Sequence, residues 1–352
     1  MTRRTTKPPR RAAFISGDGI GPEVTWAARR CVDASGAAIE WVDCPVGADR
    51  LIARGTAIPP ETAAVLLESG IVLKGPLEGS APSFEGNPNT MLEHLYGVFA
   101  SLRPCRSFPR PGESTPGFDV LVIAQRAPVA SVDSASPKWA GLRGITSEGA
   151  SAAVVADVNP AREREFFDFA FAQAIAAGRR RVTLVHRANV HRTTDGAWLR
   201  LGEEVARRHP GMACEDQLVD HVAMQIARAP ERFDTLVVTP LYGEIVGDIA
   251  VGLAGGLGLV PEVLAGRRGT IFTTVHGTAP RFAGLGRASP CAMILAAAAL
   301  LRACGDAPAA AAIEAGVEGT LATPDLAVDT GVFVDKAIER IRLAPLPRPG
   351  LR

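Results

Sequence analysis

Residues 12–23 read Ala-Ala-Phe-Ile-Ser-Gly-Asp-Gly-Ile-Gly-Pro-Glu, and the fold class turns on that stretch. A short apolar run, Ala12–Ser16, gives way to a turn holding Gly17, Gly19 and Gly21. Pro22 stands where a first helical turn tolerates a residue without an N–H. From Glu23 onward Val24, Ala27, Ala28, Cys31 and Val32 recur at helical spacing, which predicts an amphipathic helix. Ile39–Cys44 then reads as a second strand. Strand, glycine-rich turn, helix and strand form the rhythm of an α/β protein with a parallel sheet.

The alternation continues along the chain. Glu61–Ser69 predicts a helix, and Ile71–Lys74 a buried strand ending in Gly75-Pro76. Asp119–Ala124 and Val182–His186 are apolar strands, with Arg162–Ala177 an amphipathic helix between them. Phe233–Thr239 and Thr270–Val275 read as further strands, and Gly247–Leu257 and Pro290–Cys304 as helices. Pro128–Pro160 lacks periodicity and reads as an arm or hairpin excursion.

Composition narrows the function classes. A chain of 352 residues holds one or two domains, and 47% hydrophobic with 21% charged residues is globular composition. Lys and Arg total 38 against 37 acids, so no net charge points to nucleic acid or an anionic membrane. No apolar run reaches the roughly 20 residues that span a bilayer. Only Lys7, Lys74, Lys138 and Lys336 are lysines; arginine supplies the remaining 34 cations. The six cysteines lack any CxxC spacing and read as buried free thiols in a reducing compartment. No apolar segment of signal-peptide length follows the basic start, so the expected location is cytoplasmic.

Four groups of residues carry candidate chemistry. The Gly17–Gly21 loop is either a phosphate-cradling turn, with Asp43 as ribose acid, or a plain tight turn; Pro22 departs from the dinucleotide fingerprint. Asp220, Glu244 and Asp248 offer hard oxygen ligands for Mg²⁺ or Mn²⁺. Alternatively, Glu244 and Asp248 are acids at a helix start that complement its dipole. The loop His276–Gly284 follows a strand, where α/β sheets place ligands, and Arg281 and Arg287 suit a phosphate or simply face solvent. Arg103, in a run with Arg106 and Arg110, can grip a carboxylate or lie on the surface.

Taken in order, these segments resemble the isocitrate/3-isopropylmalate dehydrogenase family. The likeness is carried by Ile15–Glu23, Leu73–Leu77, Ala100–Pro104, Val185–Asn189, Asp195-Gly196, Val219–Gln225, Leu241–Leu259 and Val275–Pro290, within residues 12–342. The resemblance implies an isopropylmalate-dehydrogenase-like α/β fold of two domains, with parallel and mixed sheets flanked by helices. Residues 1–103 and 250–352 would form a discontinuous nucleotide-binding domain. Residues 104–249 would form the second, with 128–160 as an intersubunit arm. It also implies a homodimer with shared sites, NAD or NADP as cofactor, Mg or Mn, and oxidation of a 2-hydroxy acid with loss of CO₂. His276, Gly277, Ala279 and Pro280 match the adenosine-binding turn, and Ser289 stands where an adenine-contacting Asn is usual. Arg281-Phe282 resembles the pair found in NADP-dependent members, since a cation suits a 2′-phosphate. Asp220, Glu244 and Asp248 fall at the family's metal positions, with Glu244 replacing an aspartate.

The chemistry departs from the family. Its proton-handling Lys falls at Arg187, whose guanidinium cannot release a proton near neutrality. The family's acid Tyr falls near Ser131. Of three carboxylate-clamping arginines only Arg103 remains; the others align with Glu93 and Ala124, with Arg126 a candidate substitute. His191 and His221 are candidate replacement proton carriers. Three functions stay open: a diverged NAD(P)-dependent oxidoreductase acting on another 2-hydroxy acid, an inactive ligand-binding or regulatory member, or a non-redox lyase or decarboxylase.

Overall fold

The computed structural model describes residues 10–79, 87–108, 117–126, 158–323 and 329–343. Of the expected arm, residues 128–157 lie outside the described residues, as does Ser131; Pro160 instead opens a helix.

In chain order the first half comprises β1 (Arg10–Ile15), α1 (Gly21–Ser35), β2 (Ile39–Asp43), α2 (Ala48–Arg54), α3 (Pro60–Ser69), β3 (Ile71–Lys74), α4 (Pro88–Tyr96), β4 (Val98–Arg106), β5 (Asp119–Gln125) and α5 (Pro160–Ala176). The second comprises β6 (Arg181–His186), α6 (Asp195–Ala206), β7 (Ala213–Leu218), α7 (Val219–Arg228), β8 (Thr235–Val238), α8 (Pro240–Leu253), β9 (Pro261–Gly266), β10 (Gly269–Thr274), α9 (Cys291–Ala303), α10 (Ala307–Leu321) and α11 (Thr330–Leu343). The described strands form a ten-stranded sheet in the order β2-β1-β3-β10-β9-β4-β5-β8-β6-β7. It is parallel at both ends, while β10, β9, β4 and β5 run antiparallel in the middle. Such a mixed sheet, clothed by helices on both faces, is the α/β architecture expected.

Four apolar clusters hold it together. Val24, Ala27, Ala28, Cys31 and Val32 of α1 pack with α9, α10 and α11 on one face of the β1 end, and Leu66, Leu92 and Tyr96 fill the other face. At the β7 end, Phe166, Phe167 and Trp198 fill one side and Val222, Val246 and Ala250 the other. Burying each of the larger of these apolar side chains, the valines, leucines and phenylalanines, contributes about 1.5–3 kcal/mol before the entropy of ordering it. Residues 103 and 104 both lie within β4, and 249 and 250 both within α8.

Four sequence expectations need correction. The helix expected over Gly247–Leu257 runs Pro240–Leu253, because Pro240 supplies a first-turn residue and Gly255 and Gly256 take φ of +103° and +106°. Glu244 and Asp248 therefore sit beyond the first turn, which holds no acid, and the dipole reading fails. The strand expected over Phe233–Thr239 shortens to Thr235–Val238, since Pro230–Arg232 forms a 3₁₀ turn before it. Five cysteines are buried as expected, but Cys214 is exposed on the edge strand β7.

Candidate functional site

A cluster of charged side chains among the described residues forms where α8 crosses β4 and β5. Gly243 and Gly247 let the helix approach: a Cβ on Gly243 would lie 2.4 Å from Ala124 Cβ, and one on Gly247 2.8 Å from Arg103 Nη1. Arg103, only 4% exposed, fills that space. Its Nε donates to Glu262 of β9 at 2.8 Å, its Nη1 to Asp248 at 2.9 Å, and its Nη2 to Glu244. Burial pulls the Arg103 guanidinium down, but Glu262 and Glu244 raise it above its ordinary value, so it is always charged. Arg126, just past β5, donates to the second oxygen of Glu244 at 2.6 Å and lies 3.7 Å from Glu93 of α4.

Lys74, at the end of β3, extends this cluster. It is 6% exposed and donates to Asn89 Oδ1 at 3.1 Å and to the Gly75 carbonyl at 3.2 Å. Burial lowers its pKa to about 8, against the upward pull of Glu262, Glu93 and Asp18. Burial likewise pushes the Glu93 carboxyl up, opposed by Arg126.

The substrate-side candidates Arg103 and Arg126 are thus brought together with the metal candidates Glu244 and Asp248, but bonded to one another. Asp220 and Arg187 form a pair of their own at the start of α7, where Arg187 lowers the Asp220 carboxyl. The Arg187 backbone N–H donates to Asp195 at 2.7 Å. His191 and His221 are exposed; the first donates its backbone N–H to the Arg187 carbonyl, and the second sets its Nε2 against the Gln225 amide. The partners of Arg103 are carboxylates, and neither histidine is among them. No group of three His, Cys, Asp or Glu among the described residues is arranged to hold a metal. The carboxylates present face guanidinium groups, so they do not fit a divalent ion.

The loop after β10 has different character. Ala279 adopts φ of +38°, and the Thr278 carbonyl accepts the Ile20 N–H at 2.9 Å. Gly19 touches this loop so closely that a Cβ would lie 2.1 Å from Thr278 O. Asp18 N–H donates to Pro76 O and Gly21 N–H to Asp18 O, so donors of the Gly17–Gly21 loop are spent within the fold. That geometry favours a tight turn bracing the next loop over a phosphate cradle. Asp43 is exposed and lies 3.9 Å from Arg29.

His276 has its Nδ1 3.0 Å from the Gly277 carbonyl, which places the hydrogen there. Its Nε2 is buried without a partner among the described residues and is therefore an open acceptor. Burial lowers the imidazole pKa; Gly277 opposes and Lys74 adds to the shift, and the ring stays neutral at pH 7. Arg281, Phe282 and Arg287 are exposed, and neither arginine has a carboxylate partner among the described residues. Ser289 donates to Gly258 O at 3.2 Å and borders a cavity of about 590 Å³ also lined by Leu257, Arg287, Asp329 and Phe333. An orphaned imidazole nitrogen and two cations without carboxylate partners among the described residues, one of them (Arg287) lining the cavity, fit a nucleotide.

The family model for isocitrate/isopropylmalate dehydrogenase matches residues 11–340. The chain belongs to that family. It is 37% identical to an isocitrate/homoisocitrate dehydrogenase of Thermus thermophilus, covering 94% of this chain and 98% of the relative. It is 32% identical to a mitochondrial regulatory component of the NAD isocitrate dehydrogenase from Dictyostelium discoideum, covering 96% and 93%. The crystal structure of isocitrate dehydrogenase from Methylococcus capsulatus superposes with a TM-score of 0.83 at 32% identity, covering 95% of this chain and 99% of that one. The family fold is accordingly the fold of this chain, and the Dictyostelium relative is named for NAD.

Lys74, carried in the segment Leu73–Leu77 but not marked there as a site residue, and Glu262, which lies in none of the quoted segments, join the site together with Glu93. A lysine closing an apolar strand before Gly75-Pro76, in a chain with four lysines, was the available signal for the first. Nothing in the sequence joins Glu262 to Arg103, 159 residues away.

Proposed function

We propose that this chain binds a nicotinamide dinucleotide at the loop after β10, NADP in preference to NAD, and is a diverged oxidoreductase. Its substrate is a 2-hydroxy acid less anionic than isocitrate or isopropylmalate. The observation that carries this reading is the engagement of Arg103 by Glu262, Asp248 and Glu244. Three of the five N–H donors of this guanidinium are already spent on carboxylates, whose charges repel an incoming substrate carboxylate. Glu93, Glu244, Asp248 and Glu262 carry four negative charges against three on Arg103, Arg126 and Lys74, which disfavours a polyanion. Arg281, exposed and without a carboxylate partner among the described residues, supports the 2′-phosphate preference.

Dimerisation is part of the proposal. Leu241 and Ile245, one turn apart on α8, are 70% and 60% exposed, and Met224 on the adjoining α7 is 47% exposed. An apolar strip of this kind suits a second copy of the chain.

Calorimetry of NADP and NAD against wild type and Arg281→Ala tests the cofactor, and a screen of 2-hydroxy acids for reduced nicotinamide tests the reaction. Arg281→Ala should weaken NADP about tenfold or more, a charge-assisted hydrogen bond being worth about 1.5–3 kcal/mol, and leave NAD unchanged. Vigorous turnover of isocitrate or isopropylmalate would refute the substrate reading.

One observation favours a second reading, a non-catalytic binding or regulatory protein. Arg187 stands at the proton-carrier position with its guanidinium bonded to Asp220, and one of the relatives is named as regulatory. Turnover by the purified chain with any acid removes that reading.

A further inference from the structure

We propose that Arg103 is a resident cation standing where a divalent ion would sit, so that this chain excludes Mg²⁺ and Mn²⁺ from its acidic cluster. The idea rests on the reading of the cleft given above and goes one step further, from which substrates are disfavoured to which ion is replaced. Each of the three carboxylates at the candidate metal positions already holds a guanidinium: Glu244 holds Arg103 and Arg126, Asp248 holds Arg103, and Asp220 holds Arg187. Asp220 therefore arrives with its own cation, whichever copy of the chain supplies it.

Arg103 is also unable to step aside. Glu262, 6% exposed, binds its Nε, and the close approach of Gly247 confines its Nη1. Displacing it would leave Glu262 buried without a partner. An ion between Glu244 and Asp248 would lie within a few ångströms of Arg103 and Arg126, with repulsion from both. Glutamate at 244 makes the arrangement workable, because its longer arm lets one carboxylate bridge two arginines through separate oxygens.

The test is electron paramagnetic resonance of free Mn²⁺ titrated with the purified full chain. Wild type should leave the aquo-ion signal undiminished. Arg103→Gln should bind Mn²⁺ about tenfold tighter or more, and Arg103→Lys, which keeps the charge, should continue to exclude it. Micromolar binding by wild type that Glu244→Gln or Asp248→Asn abolishes would overturn the proposal, as would an Arg103→Gln chain as silent as wild type. Should Arg103→Gln not fold, the wild-type titration with the Glu244→Gln control decides alone. NADP calorimetry on the same samples separates the two ideas: lost nucleotide binding with Mn²⁺ still excluded strikes only the cofactor reading.

Discussion

Replacing Arg103 by methionine keeps most of the side-chain volume and removes the charge that organises the cleft. Glu244 and Asp248 are 50% and 60% exposed, so on losing Arg103 they regain water at about 0.5–1 kcal/mol each. Glu262 is different, with a side chain only 8% exposed and an Nε–oxygen distance of 2.8 Å. Charge centres about 4 Å apart at an effective dielectric near 20 attract by about 4 kcal/mol, and breaking a buried pair costs about 3–5 kcal/mol. Arg103→Met should therefore lower stability by about 4–5 kcal/mol. With an unfolding entropy of about 2.1 cal/mol/K per residue, that lowers Tm by about 6 °C. Adding Glu262→Met removes the stranded charge as well, and the double variant should return to within about 1–2 kcal/mol of wild type. Urea unfolding of the four chains measures this coupling. A loss below about 1 kcal/mol for Arg103→Met, or strict additivity with Glu262→Met, would show that the buried pair does not organise the site.

Lys74 gives a pH signature. The unfolded chain keeps this proton to its ordinary value of 10.5 while the folded chain releases it at about 8. Between those values the unfolded state binds more protons, so stability should rise with pH by an amount on the order of 3 kcal/mol in total. Lys74→Met should flatten that segment in urea midpoints taken across it, and an unchanged profile would count against a buried, proton-releasing Lys74. Gly19→Ala should destabilise by more than about 1 kcal/mol through its backbone angle alone, and further through contact with Thr278 O. On the proposed function it should weaken NADP binding, since Gly19 has φ of +58° and its Cβ would press on the loop after β10. Gly55→Ala, with φ of +72° and open space around it, is the control that isolates the backbone component.

The first helix is legible because its apolar residues repeat at 3.6 and its ends are marked by Pro22 and Gly36, which are local signals. Two strands carry no such mark. β7, Ala213–Leu218, is an edge strand with mostly exposed residues and no apolar alternation, and β4 carries Arg103, Pro104 and Arg106. Their pairing partners make them strands, and those partners are distant in sequence.

The sequence by itself determined the α/β class, the family motifs and the presence at 187 of an arginine, which cannot release a proton near neutrality, because residue identity and short-range spacing suffice for each. Only tertiary structure decided what Arg103 does. Arg103 lies 141, 145 and 159 residues from Glu244, Asp248 and Glu262, and the sheet and a glycine-faced helix bring them within bonding distance. Ionic partnership depends on ångström-scale distance and on burial, and both arise only when the chain has packed.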